Sequence, residues 1–118
     1  MQNQRQTLGK WGEAAAAKFL ERHGFKVLAR NFHTTRGEID IVAQKAGDFY
    51  FVEVKTRRAG PLATDLAITP QKRRRFASAV ATYCVRHNIQ DSATRLAHLF
   101  VTIATHTKQV RFRLVLAS

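Results

Sequence analysis

The chain has 118 residues, a length that suits one domain built around one hydrophobic core. Hydrophobic residues make up 45% of it and charged residues 24%, which excludes a disordered or low-complexity chain. Twenty Lys and Arg stand against eight Asp and Glu, a formal net charge of +12. Such a charge repels itself, and its most common purpose is to bind a polyanion. We therefore predict a single domain over residues 1–118 that binds nucleic acid; a merely basic protein, or one that docks on anionic membrane, is the alternative.

No targeting signal stands out in the sequence. The longest apolar runs have four residues, against about 18 for a bilayer-spanning helix. Residues 1–10 are polar and lack the apolar stretch of a signal peptide. The single cysteine, Cys84, cannot form an internal disulfide or a Cys-rich zinc site, which fits a reducing compartment. We expect a cytoplasmic protein that does not contact membranes.

The first predicted element is an amphipathic helix over residues 4–23, ended by Gly24. The apolar residues that recur at helical spacing are Leu8, Trp11, Ala15 and Phe19. This stripe predicts the side of the helix that packs into the core, with Trp11 buried. Glu13 lies on another side of the helix, among Gly9, Ala16 and Leu20. It either approaches a sheet across this surface or is an ordinary glutamate on the flank of the helix.

Three strands are predicted next, because β-branched and aromatic residues become frequent. They cover residues 25–32, 38–43 and 49–57. The breaks between them, at residues 34–37 and 45–48, are short and rich in turn-forming residues. We therefore expect three consecutive antiparallel strands.

A second helix is predicted after a loop over residues 58–68. Thr69 is a typical N-cap and Pro70 suits the first helical position. The helix runs to about residue 88, and Cys84 falls on its inner face as a core thiol. Two closing strands are predicted over residues 96–104 and 110–116. The order αβββαββ predicts a mixed α/β domain with helices packed on one central sheet.

The second predicted hairpin contains an unusual concentration of acids. Glu38, Asp40 and Glu53 are three of only eight acidic residues in this basic chain. Period-two alternation places Glu38 and Asp40 on one face of their strand, with Ile39 and Ile41 on the other. The acids therefore share a face in this interpretation.

A turn centred on residues 46–47 would place Asp40 directly opposite Glu53, and Glu38 opposite Lys55. Two facing carboxylates repel each other unless a proton or a hard cation lies between them. Mg²⁺, or Mn²⁺, suits such a site, because it binds through one or two carboxylates and the phosphates of a substrate. Lys55 would orient the attacking water or stabilise charge on the phosphoryl oxygens.

An alternative is that these acids are solvated residues on an exposed sheet face, paired with Arg36, Arg57 or Lys55. The apolar flanks at residues 41–42 and 49–52 favour a mostly buried sheet. Unpaired carboxylates are costly there. The flanks thus favour a functional site.

Two segments carry a resemblance to a known family: residues 37–42 (GEIDIV) and residues 51–57 (FVEVKTR). They resemble the signature of the YraN-like family of small bacterial proteins. That family is similar to archaeal Holliday junction resolvases and belongs with the restriction-endonuclease-like, PD-(D/E)xK nuclease folds. The match extends to residues 12–13, residues 30–31 and Lys72, so it covers about residues 8–88.

The resemblance implies a metal-dependent nuclease with the metal on Asp40 and Glu53. It implies Lys55 as the catalytic lysine and Glu13 as the acid brought in from the first helix. Where the family usually has Arg-Phe-Asp-Val, this chain has His-Leu-Phe-Val at residues 98–101. The departure leaves the hairpin site intact and affects what the fourth strand could contribute to substrate binding or to a homodimer.

Four consecutive cations begin the second helix: Lys72, Arg73, Arg74 and Arg75. The helix dipole disfavours cations at an N-terminus, whereas a bound phosphate reverses that effect. With Arg57 and Arg58 they could clamp a nucleic-acid backbone. A turn has 3.6 residues, so only two or three of the four can face one strand. The alternative is a charged turn that fans out into solvent.

The five histidines show no metal-ligand spacing and are expected to be structural or surface residues: His23, His33, His87, His98 and His106. The prediction is a restriction-endonuclease-like α/β domain that hydrolyses phosphodiesters of DNA, including branched or repair intermediates, with Mg²⁺ or Mn²⁺. One alternative is a non-catalytic nucleic-acid-binding protein that retains this fold. Another is an interaction module whose basic surface meets an acidic protein.

Overall fold

A computed structural model describes residues 4–59 and 69–117. The helices are α1 (Gln4–Arg22) and α2 (Pro70–His87), and a short 3-10 helix, not predicted, covers Asp91–Ala93. The strands are β1 (Lys26–His33), β2 (Glu38–Lys45), β3 (Asp48–Ala59), β4 (Thr94–Ala104) and β5 (Val110–Ala117). The predicted mixed α/β fold with order αβββαββ is confirmed. Within the described ranges, neither helix is long and apolar enough to span a bilayer.

The five strands form one sheet in the order β1-β2-β3-β4-β5. The first three are antiparallel, as predicted. β4 then joins β3 in parallel, with α2 as the crossover, and β5 returns antiparallel to β4. Each helix covers its own face of the sheet with its own buried cluster. This two-sided arrangement is consistent with a nuclease-like fold.

The predicted apolar stripe of α1 is only partly right, because Phe19 packs against the core but Trp11 does not. Ala16, Ala17 and Leu20 are buried, whereas Trp11 is 45% exposed. A Cβ at Gly12 would overlap the side chain of Thr56 on β3, which shows how closely the helix lies on the sheet. Small side chains allow this approach, and Trp11 is too large for it. The contact carries the next residue, Glu13, towards the sheet.

α2 begins as predicted. The Thr69 hydroxyl accepts a hydrogen bond from the Lys72 N–H at 3.2 Å, and Pro70 occupies the first turn. A Cβ at Gly37 would overlap the carbonyl oxygen of Arg75, so the chain entering β2 touches the backbone of the second turn of α2. The basic start of α2 therefore lies directly beside β2.

Two predictions near α2 need correction or limitation. The predicted loop at residues 58–68 begins too early, because Arg58 and Ala59 extend β3 in parallel pairing with β4. Residues 60–68 lie outside the described residues. The thiol of Cys84 is only partly buried, packs against the α2 core cluster and lies 3.8 Å from the Thr94 hydroxyl.

Candidate functional site

The site lies where β2 and β3 separate. Ala46 and Gly47 both have positive φ and form the predicted turn, and the strands pair from Lys45 opposite Asp48 to Ile41 opposite Val52. This is the predicted register, but the pairing stops one residue before Asp40 and Glu53. The expected backbone pairs of Asp40 with Glu53 and of Glu38 with Lys55 are therefore not made. β3 instead continues along β4 to Ala59.

At the point of separation, the Asp40 side chain replaces the backbone of β2 as a hydrogen-bond acceptor for β3. Its Oδ2 accepts a hydrogen bond from the backbone N–H of Val54 at 2.7 Å. This N–H would otherwise need a partner from β2, because buried backbone donors are rarely left unpaired. The bond fixes the orientation of the carboxylate and leaves Oδ1 as its other oxygen.

Side-chain alternation also breaks at Asp40, which corrects a second prediction. Ile39 joins the core under α2, whereas Ile41 joins the core under α1, so the two do not share a face. On β1, Asn31 has the left-handed φ of 54°, and the neighbouring Phe32 packs with Ile39. The alternation shifts at Asp40, beside the irregular Asn31, and the Asp40 side chain turns towards the edge of β3.

A cavity of about 290 Å³ opens at this separation. Its lining residues are Glu38, Asp40, Glu53, Val54, Lys55, Lys72, Arg75 and Phe76. We call it the site cavity. It brings the predicted acids and Lys55 of the hairpin together with the basic start of α2, which lies far away in sequence.

Glu53 lies between a lysine and a histidine. Its Oε1 is 3.7 Å from the Nζ of Lys55, and its Oε2 is 3.4 Å from the Nε2 of His98. The latter contact is within ion-pair distance but lacks hydrogen-bond geometry, so Oε2 is buried without a hydrogen-bond partner among the described residues. The side chains of Glu53 and His98 are only 15% and 14% exposed.

His98 is the site residue that sequence reasoning missed. It was expected to be structural or at the surface, yet it pairs with Glu53 in the parallel register of β3 and β4. The sequence offered one signal for a role of His98: residues 98–101 depart from the Arg-Phe-Asp-Val that is usual in the family. The site is therefore not confined to the hairpin.

Burial and neighbouring charges alter the acid and base properties of the site. Burial, helped by the nearby carboxylates of Glu13, Glu53 and Glu38 and opposed by the Val54 hydrogen bond, raises the pKa of Asp40 to about 6. Burial lowers the pKa of Lys55, and the neighbouring Lys72 acts in the same direction. Accumulated negative charge around Asp40 favours a bound cation.

Glu13 approaches Asp40 from α1. Its Oε1 lies 3.9 Å from the Nη2 of Arg30, and Arg30 and the side chain of Asn31 both act to lower its pKa. Burial raises the pKa of Glu13 despite these partners. Arg30 and Asn31, which belong to the resemblance, thus contact the acid of α1.

The donor set suits some metals better than others. The residues described in 4–59 and 69–117 contain no group of three or more His, Cys, Asp and Glu placed to hold a metal ion. A closed zinc site needs such a group. Mg²⁺ does not, because it keeps several waters and binds through one or two carboxylates and substrate phosphate. Asp40 and the Oε2 of Glu53, which accepts no hydrogen bond from the described residues, fit that less demanding ion.

The predicted basic residues divide between several surfaces. Lys72 and Arg75 line the site cavity. Arg73 lines an adjoining groove with Glu53 and His98, whereas Arg74 lines neither. On β3, the Nε of Arg57 donates to the Thr102 hydroxyl at 3.3 Å, and Arg58 is exposed.

Comparison with known proteins identifies relatives along almost the whole chain. A UPF0102 protein of Roseiflexus castenholzii is 38% identical over 112 residues, 93% of this chain and 90% of the relative. A UPF0102 protein of Geobacter metallireducens is 38% identical over 88% of this chain and 86% of the relative. One of Syntrophomonas wolfei is 50% identical over 55% of this chain and 57% of the relative. The sequence profile of the uncharacterised protein family UPF0102 matches residues 12–116. The chain therefore belongs to UPF0102, the YraN family.

Proposed function

We propose that this protein is a cytoplasmic, metal-dependent phosphodiesterase that acts on DNA. The observation that carries the proposal is the convergence of Asp40, Glu53 and Lys55 with Lys72 and Arg75 in one cavity. Carboxylates hold a cation, and the cations opposite them hold phosphate. A net charge of +12 provides long-range attraction for the polyanion.

The proposed division of labour follows from the contacts. Asp40 and Glu53 would hold Mg²⁺ or Mn²⁺, which supplies an activated water and neutralises charge on the phosphate. The Val54 N–H keeps Asp40 oriented for this role. Lys55 stabilises charge on the phosphoryl oxygens from its position beside Glu53. Glu13 adds negative charge next to Asp40 and so favours the cation.

A second candidate function, nucleic-acid binding without hydrolysis, is supported by the cations that line the site cavity. In that case the protein binds nucleic acid through Lys72, Arg75 and neighbouring cations without hydrolysing it. Both functions place DNA at the same surface. A homodimer and an acidic protein partner remain separate proposals.

A cleavage assay distinguishes these functions. We expect linear, nicked or four-way-junction DNA to be cut in Mg²⁺ or Mn²⁺ and left intact in chelator. Glu53→Gln, purified in parallel, should bind DNA and not cut it, because the amide cannot replace the carboxylate as a ligand. DNA binding by the wild type without cleavage would select the non-catalytic function, and failure to bind DNA would refute both.

The position of Arg75 predicts a specific dependence of DNA affinity on salt. Arg75 lines the site cavity and Arg74 does not, although both are exposed near the start of α2. Arg75→Gln should weaken duplex binding and reduce the slope of log affinity against log salt by about 0.9, the value of one phosphate contact. Arg74→Gln is the matched control and should change the slope less. Equal slopes in fluorescence-anisotropy titrations would show that the DNA backbone lies elsewhere.

A further inference from the structure

The central strands continue past the site cavity as a basic ladder. Glu53, His98 and Val115 stand in register across β3, β4 and β5. The next two rows on the same face are Lys55, Phe100 and Arg113, followed by Arg57, Thr102 and Arg111. We call these six residues the sheet platform. Four of them are cations and none is acidic.

Contacts place the platform on the face that carries α2. The Arg57 guanidinium donates to the Thr102 hydroxyl, so these neighbours share a face. Val115 lines a groove with Glu53 and His98. Phe112 and Leu114 pack on the opposite face against the α1 core. Strand alternation then directs Arg111 and Arg113, both exposed, to the face of the site cavity.

Phe100 lies at the centre of this charged surface. In the described part of the chain it joins neither the α1 nor the α2 core cluster. It is partly exposed, and its ring centroid lies 6.4 Å from that of His98. Its neighbours in register are Lys55 and Arg113. An aromatic ring among cations on an open sheet is the arrangement that proteins use to stack nucleic-acid bases.

We propose that the sheet platform binds an unpaired strand of the nucleic acid next to the phosphate held in the site cavity. The guanidinium groups of Arg57, Arg111 and Arg113 would contact its backbone, and one base would stack on Phe100. A base offers its flat face only where it is unpaired, whereas an intact duplex offers phosphates alone. This inference rests on the proposed function and refines its substrate class to nucleic acid with a single-stranded segment at the site.

The test separates stacking from charge and uses binding in chelator, where no cleavage occurs. Fluorescence anisotropy would compare labelled oligothymidylate with a blunt duplex of equal length. Phe100→Leu keeps an apolar side chain but loses the aromatic face. We expect it to weaken oligothymidylate binding about fivefold or more, the lower end for one stacked base, and to leave duplex binding unchanged. Phe100→Trp keeps an aromatic face and should bind oligothymidylate with about the wild-type affinity.

A second variant covers the case in which Phe100→Leu does not fold, as checked by thermal denaturation. Arg113→Gln should reduce the salt slope for oligothymidylate by about 0.7, the value of one single-strand phosphate contact. Arg22→Gln, an exposed arginine at the end of α1, is the matched control and should not change it.

The outcomes discriminate between the two proposals. If the wild type binds oligothymidylate and neither platform variant weakens it, the platform is overturned while the proposed function stands. If the wild type binds neither oligothymidylate nor duplex, the proposed function is overturned as well.

Discussion

Replacing Lys55 by alanine should lower the rate of DNA cleavage by about 10²- to 10³-fold, the usual effect of removing one electrostatic stabiliser of a transition state. The Nζ of Lys55 lies 3.7 Å from Glu53, inside the site cavity and beside the proposed phosphate position. Metal affinity should be unchanged or slightly increased, because the substitution removes a positive charge and no ligand. Single-turnover cleavage and Mn²⁺ titration by calorimetry measure the two effects separately.

The control for this experiment is Lys10→Ala, which removes an exposed lysine from α1. It should cleave at the wild-type rate. Asp40→Asn purified alongside reports any contaminating nuclease. A rate for Lys55→Ala close to that of the wild type would exclude this lysine from the reaction.

Replacing Asp40 by asparagine should make the metal-free protein more stable at pH 8. The pKa of Asp40 rises from its ordinary value of 3.8 to about 6 in the folded state. A carboxyl of this kind supports folding below about pH 4, and its contribution is lost as the pH rises through 6. The loss is about 3 kcal/mol at most. Asparagine does not ionise, so the variant avoids this loss of stability, and its side-chain oxygen can still accept the Val54 hydrogen bond.

Metal should reverse the ranking of these two proteins. In Mg²⁺ or Mn²⁺ at 100 times the dissociation constant, the wild type gains about 2.7 kcal/mol by linkage, and Asp40→Asn should gain nothing. Urea denaturation at pH 4.5 and pH 8, with chelator or with metal, measures both effects. Glu21→Gln, an exposed acid on α1, is the control. An equal metal response in wild type and Asp40→Asn would show that the cation does not bind at Asp40.

These expected effects also describe a conflict between stability and function. Burying Asp40 and Glu53 as anions destabilises the fold unless a cation or a proton compensates their charge. Among residues 4–59 and 69–117, the Val54 N–H is the one backbone group that donates a hydrogen bond to Asp40. We infer that the site is more stable with a cation present than without one.

Much of the fold could be predicted from the sequence because its signals are local. Strand and helix order follows from the spacing of apolar residues, and the start of α2 follows from Thr69 and Pro70. The hairpin register follows from the turn at residues 46–47, where a glycine allows positive φ. Asp40, Glu53 and Lys55 lie on the two strands of this hairpin, so a site there was predictable.

The tertiary structure decided the features that depend on distant partners. Trp11 is excluded from the core because the side of α1 that faces the sheet depends on the close contact between Gly12 and Thr56. Ile39 and Ile41 belong to different cores because the side-chain alternation shifts at Asp40, next to Asn31 with its positive φ on β1. The spacing of apolar residues in α1 does not reveal the exposure of Trp11, and that in β2 does not reveal the shift between Ile39 and Ile41.

Composition, periodicity and turn residues by themselves determined the order αβββαββ, the basic character and the hairpin that carries the acids. The parallel pairing of β3 with β4 decided the rest. It places His98 beside Glu53 and Phe100 beside Lys55 across a long crossover. The register of a parallel pair depends on how the intervening helix packs on the sheet, which no local pattern encodes.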